Sequence, residues 1–221
     1  MSRPAGGYKN AAGKRIPGVT TITGRFKDSG ALIAWANRIG LEGQEYGTVL
    51  EAAGDAGTCC HAMIEQDWHG TIFDRSKWDE TVLKKADHAY LAYLEWKEQT
   101  KLTVVKPELS LVSERYQFGG TIDAVMVSGR LNLGDYKTSN GIYSDMLIQV
   151  AGGYALLWEE HYPDEPLQGM DLIRFSKPKG TDDPISFHHS HWSAEIFTVC
   201  KDQFILFRRA YELDKQIKGM L

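Results

Sequence analysis

Apolar and polar positions along this chain switch repeatedly between helical and strand-like periods. Residues 1–18 are Gly-rich, basic and punctuated by proline, the pattern of a flexible or loosely docked arm. Val19 to Ile22 is a short β-branched run that predicts a strand. Ser29-Gly30 opens a short amphipathic helix through Leu32, Ile33, Trp35 and Ala36, with Gly40 ending it. Residues 44–69 have helical spacing interrupted by Gly54 and Gly57, which predicts a break and a second helix from about Asp55 or Thr58. Ser76 to Gln99 is the strongest helical stretch: Ser76 and Asp79 make a capping-box-like start, and Leu83, Ala86, Tyr90, Tyr93 and Leu94 follow at helical intervals.

From Lys101 the period becomes two. Leu102 to Val105, Pro107 and Leu109 to Glu114 predict an extended segment with a proline irregularity at an edge or bulge. Gly119 to Ser139 then reads as a β-hairpin around Ser128-Gly129-Arg130. After an Asn140-Gly141 turn, Tyr143 to Glu160 predicts a helix, with Ser144 as N-cap and Gly152-Gly153 weakening it by roughly 1 kcal/mol per glycine. Leu167–Phe175 and Ile185–His189 predict strands. Ser193–Lys218 predicts a terminal helix whose apolar side is Ile196, Val199, Cys200, Phe204, Phe207, Tyr211 and Leu213. The order implies an α/β sandwich with a mixed central sheet flanked by helices: a helical lobe over 29–99, then a sheet core over 101–221. No repeat or linker divides it, so the expectation is one domain over 1–221.

Composition narrows the classes of function. A hydrophobic content of 43% with 24% charged residues fits a globular domain with a sizeable core. No apolar run is long enough to cross a membrane, and the N-terminus MSRPAGGYKN lacks the apolar stretch of a secretion signal. Cys59, Cys60 and Cys200 are odd in number and two are adjacent, which argues against a disulfide framework and for a reducing, cytoplasmic setting; three thiols also fall short of an ordinary iron–sulfur ligand set. The net charge of −4 disfavours a dedicated high-affinity nucleic-acid binder, yet leaves room for an enzyme with a local basic groove. Such a groove could draw on Lys9, Lys14, Arg15, Arg25 and Lys27, on Arg174, Lys177 and Lys179, or on Arg208 and Arg209; each cluster could equally be solvated surface.

The hairpin carries the most chemistry. A three-residue turn sets Asp123 opposite Asp135, and strand alternation puts Lys137 on the face of Asp135. Like charges facing across a sheet are destabilising, and a divalent cation between them would remove that penalty. Such an ion could polarise a phosphodiester and activate water, with the ammonium of Lys137 stabilising charge on the phosphate. Gly119 and Gly120 would leave room for a substrate backbone. The bland reading is a charge ladder in which Lys137 balances two aspartates. Glu108, on the preceding segment, joins the patch if that segment pairs beside the hairpin; otherwise it is an edge charge.

His61 and Glu65 share a helix face, but Ala62 and Glu65 stand where a zinc-protease HExxH motif needs glutamate and histidine. His188, His189 and His191 read as strand-end surface. No GxSxG elbow, phosphate-binding GxxxxGK[ST] or strand-placed GxGxxG is present.

Taken in order, GTxxHxxIE at Gly57–Glu65, Glu108, GGTID at Gly119–Asp123, DYKTS at Asp135–Ser139 and a Gln and Tyr in the next helix resemble the PD-(D/E)XK nuclease superfamily. Within it they are similar to the RecB-like exonuclease branch, which includes the mitochondrial genome maintenance exonuclease and many phage nucleases. IPGVTTIT resembles that branch's PSVTTIL-like segment, with Gly18 where serine is usual, and the likeness runs from about residue 16 to 160. It implies a restriction-endonuclease-like core and a Mg²⁺- or Mn²⁺-dependent nuclease, without an iron–sulfur cluster, acting on DNA. Single strands or frayed ends would be favoured, leaving 5′-phosphates, in replication, recombination or repair in a bacterial or phage-infected cell. A recombination or replication partner protein would fit that setting, and oligomeric state is left open. His61, Asp123, Asp135 and the backbone carbonyl of Tyr136 match the metal ligands, Lys137 the catalytic lysine and Glu108 a supporting acid. Gln149 and Tyr154 match a QxxxY motif that contacts DNA, and Gly120, Thr138 and Ser139 lie beside the site. Ile122 replaces the proline of the motif name. Gln149 and Tyr154 are five residues apart rather than four, which an ideal helix places on different faces. Either the Gly152-Gly153 pair distorts the helix, as a π-bulge, or one role is lost. The same fold without activity would be a DNA-end-binding module.

Overall fold

The computed structural model describes residues 4, 6–27, 30–127, 129–178 and 183–220. Five strands form one mixed sheet in the order β1(Thr103–Ser113), β2(Phe118–Val127), β3(Leu131–Lys137), β4(Gly169–Phe175), β5(Phe187–Ser193). All neighbours are antiparallel except β3 and β4. That parallel pair needs a crossover, supplied by α5(Ser144–Leu147), the π-helical Ile148–Tyr154 and α6(Ala155–His161).

Helices cover both faces. One face packs against α1(Val19–Arg25), the crossover and α7(Glu195–Lys218), around Phe118, Ile122, Leu133, Leu157 and Phe204. The other packs against α3(Tyr46–His69) and α4(Glu80–Thr100), around Tyr93, Trp96, Ala124, Tyr136 and Phe175. The expected α/β architecture is therefore present, with the N-terminal helices laid directly on the sheet. α2(Gly30–Leu41) precedes α3; Ser29, expected to open it, lies outside the described residues.

Elsewhere packing overrides local propensity. Val19–Ile22 is not a strand but the start of α1. Its buried positions Val19, Ile22 and Thr23 are at helical spacing, and the Thr23 hydroxyl donates to the Val19 carbonyl. α3 is unbroken through Gly54 and Gly57, because Ala56, Cys59, Cys60, Met63 and Ile64 bury one face. Ser76 does not cap a long helix: it sits in a 3-10 turn, Arg75–Lys77, capped by Asp74, and α4 starts after Asp79. β5 runs past His189 to Ser193, so His188 and His191 lie within it. His189 and His191 both meet one oxygen of the buried Asp171, at 2.9 Å each, rather than standing at a strand end. Val199 and Leu213, expected on the core side of α7, are 65% and 41% exposed.

The N-terminal arm is docked. Between Gly119 and Asp123 the edge of β2 that faces β3 has no ladder partner, since β3 pairs only from Ala124 onward. The arm takes part of that edge: the Gly119 amide donates to the Pro17 carbonyl, Tyr8 exchanges a hydrogen bond with Thr121, and Asn10 donates to Gln117.

Candidate active site

The hairpin register is the expected one. Val127 pairs with Leu131 and Ala124 with Gly134, so the same register sets Asp123 opposite Asp135. There the strands part, and a carboxylate oxygen of Asp123 accepts from the Tyr136 amide at 2.9 Å. On the other side, β1 pairs Pro107 with Ala124 and Leu109 with Ile122, which sets Glu108 opposite Asp123. A register shift between Val104 and Lys106 is the bulge anticipated beside Pro107. Glu108 has φ of 48°, a left-handed conformation that costs a non-glycine residue of order 1–3 kcal/mol and that clusters at functional sites.

α3 brings His61 over this patch. One ligand atom each from His61, Glu108 and Asp123 lie within 4.8 Å of one another, a spacing at which a single cation can reach all three. The Nδ1 of His61 is 3.7 Å from Asp123. Asp135 belongs to the next layer: it is 1% exposed, the Nζ of Lys137 lies 2.6 Å from one of its oxygens, and neither oxygen has a well-aligned hydrogen bond. The sequence likeness grouped His61, Asp123 and Asp135 as ligands with Glu108 in support. The tight triad instead contains Glu108, with Asp135 engaged by Lys137.

The electrostatics follow from crowding acids in a buried place. Burial, then the charge of Asp123, pushes Glu108 up to about 8. Burial raises Asp123, against the pull of Lys137. Burial also raises Asp135 to about 6, partly offset by Lys137. Burial opposes the charge on Lys137, but Asp135 and Asp123 together outweigh it and hold the ammonium above its ordinary value. Burial and the charge of Lys137 depress His61 to about 4, so its imidazole is neutral near pH 7, as a ligand must be.

These groups line a cavity of about 750 Å³. Gln149 and Tyr154 stand together in its wall because Ile148–Tyr154 is π-helical. A π turn bonds i to i+5, which stacks residues five apart, and the Gln149 amide donates to the Tyr154 hydroxyl at 2.8 Å. Gly152 and Gly153 permit close packing there. A Cβ on Gly152 would lie 2.5 Å from the Cys200 carbonyl of α7, and one on Gly153 would lie 2.6 Å from Val19 of α1. Thr138, Ser139 and Gly120 also line the cavity. Gly119 and Gly120 do not leave open space for substrate: their Cβ positions are occupied by the rings of Tyr8 and Tyr154.

Four further residues contribute to the cavity without having been assigned a site role from the sequence. Gly54 and Gly57, read as helix breakers, form a bare stripe of α3 that opens onto the cavity; a Cβ on Gly57 would press on Thr138 at 3.0 Å. Glycines three apart on a buried helix were the available signal. Tyr8 and Lys177 also line the cavity; Lys177 belongs to one of the basic clusters noted in the sequence, and nothing local marks Tyr8. Among the basic clusters, Arg25, Lys27 and Arg208 pair with Asp214, Asp145 and Glu212. Among the described residues Lys177 has only the Ala53 carbonyl, at 3.5 Å. Burial, then Lys85, lowers its pKa. Lys179 lies outside the described residues.

No protein-family model and no curated protein sequence matches the chain. Among solved structures, it is similar to an alkaline exonuclease, LHK-Exo, from Laribacter hongkongensis, with 14% identity over 73% of this chain and 84% of that one and a TM-score of 0.37. The same exonuclease in complex with dAMP gives 14% identity, 73% and 85% coverage and a TM-score of 0.36. The functional reading rests on the site's own geometry.

Proposed function

We propose that this protein is a divalent-metal-dependent nuclease that hydrolyses phosphodiester bonds of DNA, acting as an exonuclease on single-stranded or frayed ends. The observation that carries the proposal is the convergence of three ligand atoms from α3, β1 and β2 within 4.8 Å, beside a lysine 2.6 Å from a buried aspartate. The donor set fits a hard cation. Two carboxylates whose ionisation is suppressed by burial, and in Glu108 also by the charge of Asp123, a neutral imidazole and a left-handed Glu108 are each relieved or used by a bound ion.

His61, Glu108 and Asp123 would hold Mg²⁺ or Mn²⁺, with Asp135 and the Tyr136 carbonyl adjacent. Such an ion supplies a more acidic water and neutralises charge on the phosphate. The rest falls to the protein. Lys137 is held protonated by Asp135, so it serves as a donor that stabilises the phosphorane-like charge and orients the attacking water, not as a base. Tyr154 accepts from Gln149, which leaves its own hydroxyl proton to bind a phosphate oxygen. Lys177 and the bare stripe of α3 at Gly54 and Gly57 would take the neighbouring backbone phosphate at close approach. Attack of water on phosphorus with O3′ leaving gives a 5′-phosphate end. A role in replication, recombination or repair in the cytoplasm of a bacterial or phage-infected cell goes with this reading.

The test is incubation with 5′- and 3′-labelled DNA, single- and double-stranded, with Mg²⁺, Mn²⁺ or EDTA. Metal-dependent cutting abolished in Lys137→Ala supports the enzyme. Binding of DNA ends without cutting would reduce the protein to a DNA-end-binding module, and neither cutting nor binding would overturn both readings.

A further inference from the structure

α7 buries Phe197, Cys200 and Phe204 on one side and carries an exposed apolar stripe on the other. Val199, Leu206 and Leu213 recur every seven residues and are 65%, 63% and 41% exposed; Ile217, at 60%, extends the stripe. Scattered exposed aliphatic residues are ordinary, but a stripe repeating every seven residues supplies one of the two positions per heptad of a helix-pair seam; Gln203, Ala210 and Ile217 hold the other. Two exposed charges of opposite sign, Asp202 and Arg209, flank the stripe on one side, and neither forms an ion pair with another described residue.

We infer that α7 is a self-association surface, and that two copies of this chain pair antiparallel through it about a dyad at Leu206. The sequence is self-complementary in that register. Leu206 meets its own copy, Val199 meets Leu213 of the second chain and Leu213 meets Val199, over roughly 21 Å at 1.5 Å per residue. A dyad perpendicular to the plane of two antiparallel helices keeps the charged flank on the same side of both. Asp202 of each copy therefore faces Arg209 of the other, one residue off level, and two ion pairs close one rim of the seam. A parallel pairing has its dyad along the helices, which turns the two charged flanks to opposite sides of the seam and leaves Asp202 and Arg209 unpaired across it. The stripe faces away from the cavity, since the buried side of α7 is the one that touches the π-helical wall through Cys200 and Phe204.

Sedimentation equilibrium of the full chain across a micromolar to submillimolar dilution series tests this. Wild type is expected to dimerise. Leu206→Asp should be monomeric and should melt as wild type does at concentrations where wild type is itself monomeric. Asp202→Arg should weaken the dimer at least tenfold, and Asp202→Arg with Arg209→Asp should restore it. The inference is overturned by a monomeric wild type throughout, by a dimer indifferent to Leu206→Asp, or by failure of the double charge reversal to restore association. It stands apart from the nuclease reading, because the monomeric variants should retain whatever cleavage activity the wild type has per chain.

Discussion

The acid cluster makes a definite prediction about the metal-free protein. Glu108 is held up to about 8 in the folded chain and returns to an ordinary carboxylate on unfolding. Between those values the folded state binds more protons than the unfolded one, so the stability contributed by protonated Glu108 falls as pH rises. His61 has the opposite sign: depressed to about 4, it makes stability rise with pH up to the ordinary histidine value near 6.5. The two oppose each other at lower pH, and Asp135, raised to about 6, adds to the Glu108 side there. From pH 6.5 to 8 Glu108 carries most of the change, with the likewise raised Asp123 beside it acting in the same direction. At 1.36 kcal/mol per unit of pKa difference, the loss across that window is about 1.5 kcal/mol. For a chain of this length that is about 3–6 °C in melting temperature. Thermal unfolding in EDTA at pH 6.5, 7.25 and 8 reads it out. Glu108→Gln should flatten the slope, and Mg²⁺ should stabilise wild type more at pH 8 than at pH 6.5, because binding then displaces fewer protons. A melting temperature that is flat or rises with pH in EDTA, with Glu108→Gln no different, would refute the crowded-acid picture.

Other outcomes follow from packing and charge. Gly152→Ala should destabilise the protein by about 1–3 kcal/mol, because the added methyl meets the Cys200 carbonyl at 2.5 Å; denaturant melts measure it. Tyr154→Phe should cost about 1 kcal/mol of stability through the lost Gln149 hydrogen bond, and should lower turnover of labelled DNA by more than that loss of folded protein explains. Lys177→Ala should weaken DNA binding and flatten its salt dependence, by roughly one unit in the log–log slope, with a smaller effect on cleavage at saturating DNA; fluorescence anisotropy at graded salt decides.

The hairpin was the most legible part of the sequence, because turn length and strict alternation fix register without tertiary information. Asp123, Asp135 and Lys137 could be placed from those two facts. Glu108 was legible as a candidate only, since its position depends on β1 pairing with β2 and on a left-handed backbone that no local signal announces. The five-residue spacing of Gln149 and Tyr154 left two outcomes open, and close packing of α1 and α7 against Gly152 and Gly153 goes with the π-helical one. Errors arose where burial outweighed propensity. Val19–Ile22 is β-branched yet helical, and Gly54 and Gly57 interrupt nothing in a helix whose opposite face is buried. Tyr8 could not have been found at all: its place in the wall depends on an arm returning to a strand edge more than one hundred residues away. Val199 and Leu213 were assigned inward because amphipathic spacing cannot distinguish a core from an unfilled interface.

The most direct test of the account is calorimetric titration of Mn²⁺ into the wild-type protein and into Asp123→Ala at pH 8. The account predicts that wild type binds the ion with release of protons and that Asp123→Ala, still folded by circular dichroism, does not. Binding of equal strength in both proteins, or none in wild type, would contradict it.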